Sequence, residues 1–307
     1  MTISDTSGVS PAGALADDTQ EMRMRWRVGT WWRRGVVLAG AVALGASARN
    51  IEAQPSADSV RHHTAPPALF TRRDAMTVGA FGIAAGITFP NDRHLARRFQ
   101  RDAVQENRAL RNAAALFRAT GQPGVLVGGV SAWALGRLTN RPVLATTGLH
   151  VTEAIVVAGG LTVAGKILAG RARPSESGDD DPYDFRWWRG TRQGYTSMPS
   201  GHTSAAFAAA SALAGDWRQF SPRSARYVVP ALYAGATMVG LSRMYNDRHW
   251  ASDVVLGAAL GTVTGSVVGR WGRAHGGNRL QRWLVPVVVQ PDGGAGLGLG
   301  VSMSRTW

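Results

Sequence analysis

Six apolar runs, at about 75–89, 123–137, 143–169, 203–215, 227–242 and 250–269, set the problem that this chain has to solve. They are written in Ala, Gly, Val and Leu, carry a helical rather than an alternating pattern, and are separated by segments bearing Arg and Pro. The fold expected is all-α: a helical bundle of about six core helices. Between the first two runs, Asn91 to Thr120 reads as one charged amphipathic helix, with Leu95, Phe99, Val104, Leu110, Leu116 and Phe117 roughly at helical spacing.

The two ends read differently. Residues 1–48 are expected to be a disordered N-terminus plus a signal peptide or anchor: a polar start, then Arg23, Arg25, Arg27, Arg33 and Arg34 before the apolar Gly35–Ala46, with Ala46-Ser47-Ala48 as a cleavage site. Residues 49–74 read as a linker, in which His62-His63 is a solvated pair, and 75–275 as the helical domain. Over 283–307, Val285-Pro-Val-Val-Val289, a Pro-Asp-Gly-Gly turn and the alternating Leu297 to Met303 predict a short C-terminal β-hairpin.

Export and membrane contact are weighed by length and charge. Most runs hold 13–16 residues against the roughly 20 that cross a bilayer, and the mean hydropathy is −0.09. If all six runs spanned behind an export signal, the loop with Arg218, Arg223 and Arg226 would face outside, against the positive-inside rule. The expectation is a bundle exported to the cell envelope, periplasmic or at the periplasmic face of the inner membrane, lying in or against it without a full set of spans.

One helix start carries chemistry. In Ser197-Met-Pro-Ser200-Gly201-His202-Thr-Ser204, proline precedes a Ser in N-cap position and Gly and His open the alanine-rich run Ala205–Ala214. Bare first-turn amides and the positive end of the helix dipole suit a phosphate-like anion, and Gly201 lets it approach the backbone. His202 stands at the lip, able to exchange a proton near neutral pH.

Cations gather on either side of it. Of 34 basic residues only Lys166 is a lysine, and it stands seven residues, close to two helical turns, before Arg173, with Pro174 ending the helix. Two cations at one helix end repel each other but clamp a dianion well. Downstream, Ser242-Arg243 adds a third cation, and His249 precedes Asp253 by four residues, where a carboxylate on the same helical face can take the Nδ1 proton and leave Nε2 free.

Together, Lys166-x6-Arg173-Pro174, Pro199-Ser200-Gly201-His202 and Ser242-Arg243-x5-His249-x3-Asp253 resemble the three-part signature of the type 2 phosphatidic acid phosphatases, a superfamily shared with class A acid phosphatases and vanadium haloperoxidases. All eleven fixed positions are present in order, with gaps of 24 and 39 residues. The resemblance implies His249 as nucleophile, Asp253 orienting it, His202 as general acid and then base, and Lys166, Arg173, Arg243, Ser200 and Gly201 holding phosphate. It implies a phosphorylated lipid or small phosphomonoester as substrate, no metal and no other cofactor, with vanadate entering only under the haloperoxidase alternative. A non-catalytic envelope protein is the rival from another class.

Composition narrows the partners. The absence of Cys excludes disulfides, thiolate metal sites and a Cys nucleophile. A net charge of +14 points to acidic partners, a membrane surface among them, while no nucleic-acid-binding motif accompanies it. Asp179, Asp180, Asp181 and Asp184 read as a solvated acidic turn beside Trp187 and Trp188, which suit a substrate lip or an interfacial anchor. His150 with Glu153 reads as a buried polar pair.

Overall fold

The computed structural model describes residues 68, 70–177, 181–188, 194–275, 285–289 and 298–302. The expectations for the signal segment, the linker up to residue 67, the His62-His63 pair, Asp179, Asp180 and the turn after Val289 lie outside them. The chain divides into units Met1–His62 and His63–Trp307, and the described helices all belong to the second.

Eight helices of eight or more residues occur among the described residues. They are α1 (Arg72–Thr88), α2 (Asp92–Phe99), α3 (Arg108–Ala119), α4 (Val125–Leu138), α5 (Pro142–Ala169), α6 (Gly201–Phe220), α7 (Pro222–Tyr245) and α8 (Ala251–Ala274). Their ends follow local chemistry. Thr71 caps α1, its hydroxyl accepting from the Asp74 amide at 3.3 Å while the Asp74 carboxylate accepts from the Thr71 amide at 2.7 Å. Pro142 and Pro222 open α5 and α7 at positions that need no amide, and Gly170, left-handed at φ 53°, stops α5.

The single helix expected over Asn91–Thr120 is instead three pieces: α2, a turn at Asp102–Gln105, and α3. Arg101 and Asn107 are extended, at ψ 141° and 111°, and the Asn107 side chain accepts from Ala109 and Leu110 amides to begin α3 afresh. The breaks are fixed by partners remote in sequence: Gln100 donates to the carbonyls of Met244 and Tyr245, and Gln105 to that of Tyr245. Helical spacing persists through such breaks, so periodicity did not reveal them.

The longer helices outrun their apolar runs. α6, α7 and α8 hold 20, 24 and 24 residues because polar turns at the C-terminal end, and for α7 at both ends, continue the helix. α5 and α8 are long and apolar enough to cross a membrane, with mean hydropathies of 1.6 and 1.5 over their best windows. They are the two longest of the apolar runs read from the sequence, and less than a full set of spans is still the expectation. α5 also turns Val156, Val157, Leu161 and Val163 outward, exposed, while Ala154 and Ala158 are fully buried.

α6 runs through the centre, with α5, α7 and α8 around it. Its contacts are made by alanines, and Ala208, Ala212 and Ala214 are fully buried. Close approach to α8 depends on Gly257, Gly261 and Gly265, one turn apart: a methyl group on Gly257 would lie 2.6 Å from the Ser200 carbonyl oxygen, and the other two meet the backbones of Ser204 and Ala208 in the same way. The result is functional, since it draws the start of α6 against that of α8, where the Ser200 amide donates to the Asp253 carbonyl at 3.1 Å.

Beyond the bundle, Val285–Val289 and Gly298–Ser302 pair antiparallel. Their connection lies outside the described residues, so the closed hairpin is still an expectation.

Candidate active site

The end of the bundle where α5 and α7 finish and α6 and α8 begin gathers all eight residues singled out from the sequence. Thr196 joins the first two cations, accepting Lys166 Nζ at its carbonyl and Arg173 Nη2 at its hydroxyl, the latter at 2.8 Å. Ser200 caps α6 with extended backbone and no side-chain bond to the first-turn amides, its hydroxyl instead accepting from Thr203 at 2.9 Å. Thr162 and Lys166 of α5 and Gln122 of the Thr120–Gly124 turn between α3 and α4 surround Gly201, and Lys166 Cε lies 4.0 Å from where a side chain at Gly201 would begin.

The cations separate by their partners. Arg171 is fully buried and donates to Asp92 and Asp253, each at 2.8 Å, to the Pro182 carbonyl at 2.7 and 2.9 Å and to Ser252 at 2.7 Å. Its guanidinium also faces the rings of Phe89, Phe185 and Trp250. This arginine is neutralised. Lys166, Arg173 and Arg243 make no ion pair among the described residues, although Arg243 is only 7% exposed, and the buried Nε atoms of Arg173 and Arg243 have no hydrogen-bond partner. A buried cation without a counter-ion is costly, and an anion relieves it.

His249 departs from the expected geometry. It stands before α8, with Trp250 as N-cap, so it shares no helical face with Asp253. Its Nδ1 lies 2.7 Å from the Ser197 carbonyl oxygen and 3.9 Å from Asp253 Oδ2, beyond hydrogen-bond reach. Asp253 acts one step back: it accepts from Ser197 Oγ at 2.5 Å, from the Trp250 amide at 2.9 Å and from Arg171, fixing the segment whose carbonyl holds the imidazole. With Nδ1–H donating to that carbonyl, Nε2 keeps the lone pair.

Both histidines are held neutral. Burial, with Arg243, His249, Lys166 and Arg118 behind it, lowers His202 to about 4. Burial, with Lys166 and Arg243 adding and Asp253 opposing, lowers His249 to about 4. Arg243 is lowered to about 10 by burial and then by Arg248, Arg118 and Arg173.

Sequence reasoning missed Arg171, Asp92, Ser252 and Thr196. Arg171 stood inside the quoted Lys166–Pro174 stretch, but its partner Asp92 is 79 residues away. In the loop, Asp184 accepts from Tyr195 at 2.8 Å and Asp181 from the Tyr183 amide at 2.9 Å, while Trp187 and Trp188 are 65% and 74% exposed. His150 pairs with Asp216, at 3.0 Å, rather than with Glu153, and at the opposite end of the bundle.

Residues 147–276 match the family model described as PAP2 superfamily. A lipid A 1-phosphatase of Porphyromonas gingivalis is 40% identical over 123 residues, 39% of this chain and 23% of that protein. A probable diacylglycerol pyrophosphate phosphatase 1 of Schizosaccharomyces pombe is 37% identical over 86 residues, 26% of this chain and 31% of that one. The chain thus spans about a quarter to a third of the length of these curated relatives. A crystal structure of a transmembrane PAP2 type phosphatidylglycerolphosphate phosphatase from Bacillus subtilis is 20% identical, covering 63% of this chain and 96% of that one at a TM-score of 0.31, too loose a likeness to fix the fold. Residues 147–276, which contain every position of the signature from Lys166 to Asp253, are thus similar to the PAP2 superfamily.

Proposed function

We propose that this chain is a metal-independent phosphatase that removes phosphate from a monoester or pyrophosphate of an envelope lipid, of the phosphatidic acid or polyprenyl pyrophosphate type, through a phosphohistidine. The observation that carries this reading is Arg243, a buried guanidinium without a carboxylate partner among the described residues, beside the half-buried Lys166 and Arg173, likewise without an ion pair there, and the open first turn of α6. A tetrahedral dianion answers all of these at once.

In this reading His249 Nε2 attacks phosphorus in line and the bond to the leaving oxygen breaks, that oxygen taking a proton from His202. His202 then activates the water that hydrolyses the phosphohistidine. Its lowered proton affinity belongs to the site without substrate, and an arriving dianion raises it toward the value that an acid needs. Lys166, Arg173, Arg243 and the Ser200–Gly201 backbone stabilise the equatorial oxygens. Three cations against a phosphate charge of about −1.5 to −2 leave the pocket net positive, so charge balance calls for no metal.

The relatives' names supply lipid phosphates as the substrate class to try first, and the outward valines of α5 favour action at a membrane. A periplasmic location is part of the proposal and rests on the N-terminal signal reading. The test is phosphate release in EDTA from phosphatidic acid, an isoprenyl diphosphate and p-nitrophenyl phosphate, comparing wild type with His249→Ala. Release that survives chelation and disappears in the variant supports the reading. No release from any substrate overturns it and directs attention to halide oxidation with vanadate and peroxide, and then to a non-catalytic role.

A further inference from the structure

The turn joining α3 to α4, Thr120–Gly124, leaves helical geometry at Gly121, where ψ is −141°, and Gly121 is buried. Its place is set by Phe117, one turn earlier, which packs on the buried cluster of Ala206, Phe207 and Val239 and so brings the turn against α6 and α7. A methyl group on Gly121 would lie 2.7 Å from His202 Cδ2 and 3.4 Å from Val239 Cγ1, the first far inside the separation that carbon atoms prefer. The glycines of α8 differ. A methyl group on Gly257, Gly261 or Gly265 meets backbone first, whereas the three atoms nearest to one on Gly121 all belong to side chains, two of them to the imidazole. Gly121 therefore makes room for a ring and not for the approach of two helices.

The ring needs that wall. His249 is fixed by the Ser197 carbonyl, but His202 makes no hydrogen bond among the described residues. The χ2 torsion of histidine is broad, so an imidazole without a hydrogen bond points its nitrogens wherever packing lets it. Cδ2 is bonded to Nε2, and contact along that edge limits the swing that would turn both ring nitrogens away from the first turn of α6.

We infer that Gly121 is a positioning residue for His202: its missing side chain lets the turn close on the imidazole edge and hold the ring in the orientation from which it passes a proton to the departing oxygen. The inference rests on the phosphatase reading. In that reaction His249 Nε2 bonds to phosphorus, the P–O bond breaks with its electron pair going to the leaving oxygen, and His202 supplies the proton which that oxygen takes up. An alkoxide requires the proton, whereas p-nitrophenolate leaves as the anion. Water then attacks the phosphohistidine and gives a proton back to His202, whatever the first leaving group was.

The experiment compares p-nitrophenyl phosphate with p-nitrobenzyl phosphate, which differs by one methylene and leaves as an alkoxide, and adds phosphatidic acid as a lipid alkoxide. The proteins are wild type, Gly121→Ala, His202→Ala, the double variant and Gly128→Ala, each with its Tm. Gly121→Ala should lower kcat/KM about tenfold or more for the two alkyl phosphates and less than about threefold for p-nitrophenyl phosphate. With the latter it should release a first-turnover burst of p-nitrophenolate and then turn over slowly, because only the hydrolytic step still calls on His202. Added to His202→Ala, it should cost less than about twofold further on any substrate, phosphatidic acid included, since it acts through a ring that is no longer there. Gly128→Ala, whose methyl group meets nothing within 4 Å, should match wild type. Losses in Gly121→Ala that are equal for aryl and alkyl phosphates, no loss for any, an undiminished further loss in the double variant, or a chain unfolded at the assay temperature by Gly121→Ala would overturn the inference while leaving the phosphatase reading intact. Absence of His249-dependent release from every substrate by wild type would overturn both.

Discussion

A buried histidine, an aspartate and an arginine meet at each end of this bundle, and the two meetings differ in how their charge is balanced. At one end Asp216 takes both His150, at 3.0 Å, and Arg273, at 2.8 Å, and a methyl group on Gly272 would come within 2.5 Å of His150 Nε2. Each charge there has a partner and the free ring nitrogen faces packed backbone. At the other end Asp92 and Asp253 neutralise Arg171, but Lys166, Arg173 and Arg243 stand over the start of α6 with no carboxylate of their own among the described residues. The His-Asp-Arg grouping is common to both. Unbalanced positive charge is what marks the second as a place for a ligand.

Substitutions can break that contrast, and the largest effect belongs to His249. His249→Ala should abolish phosphate release and the covalent phosphoenzyme, measured by single-turnover trapping, whereas His150→Ala should retain turnover. Arg171→Met comes next, as a stability effect: it leaves Asp92 and Asp253 buried without their cation, so chemical denaturation should show a loss of about 3–5 kcal/mol.

The sharpest pair is Arg243→Ala and Arg273→Ala. Loss of Arg243 removes one charge-assisted clamp and should lower kcat/KM by about one to two decades, with thermal stability unchanged or raised because a buried unpaired cation has gone. Loss of Arg273 leaves Asp216 short of a donor and should lower stability by about 1–3 kcal/mol with kcat/KM within about threefold.

A smaller effect lies in pH. His249 must be neutral to attack, and its proton affinity in the folded chain is lowered from 6.5 to about 4, so the acid limb of kcat/KM should fall near pH 4. The sign for folding follows from the same shift. Between pH 6.5 and about 4 the unfolded chain binds protons that the folded His202 and His249 refuse, so stability falls as pH is lowered across that window. An acid limb near 6.5 that persists after the substrate's own phosphate ionisation is divided out would show that the imidazole is not held as described.

What could be read from the sequence was whatever is local. Lys166 and Arg173 are two turns apart, Ser200 to His202 open one helix, and Arg243, His249 and Asp253 lie within eleven residues, so their types and spacing declared them. The misses are all long-range or made by backbone. His249 answers to the Ser197 carbonyl, which has no letter in the sequence, and not to the carboxylate four residues on. His150 passes over Glu153, one turn away, for Asp216, 66 residues on. Arg171 looked like its neighbour Arg173 until Asp92 was brought to it by the packing of α2 against α8. The breaks within 91–120 escaped because Gln100 and Gln105 satisfy carbonyls at the end of α7. Helix lengths were undercounted because hydropathy stops where polar turns continue the helix.

The central claim is that unpaired cations at one end of the bundle hold a phosphate-like anion. The most direct measurement is the thermal shift produced by inorganic phosphate, and separately by vanadate, in wild type, Arg243→Ala and Arg273→Ala. A concentration-dependent rise in Tm in wild type and in Arg273→Ala, lost in Arg243→Ala, is the result predicted. An equal rise in Arg243→Ala, or none in wild type, would contradict that claim.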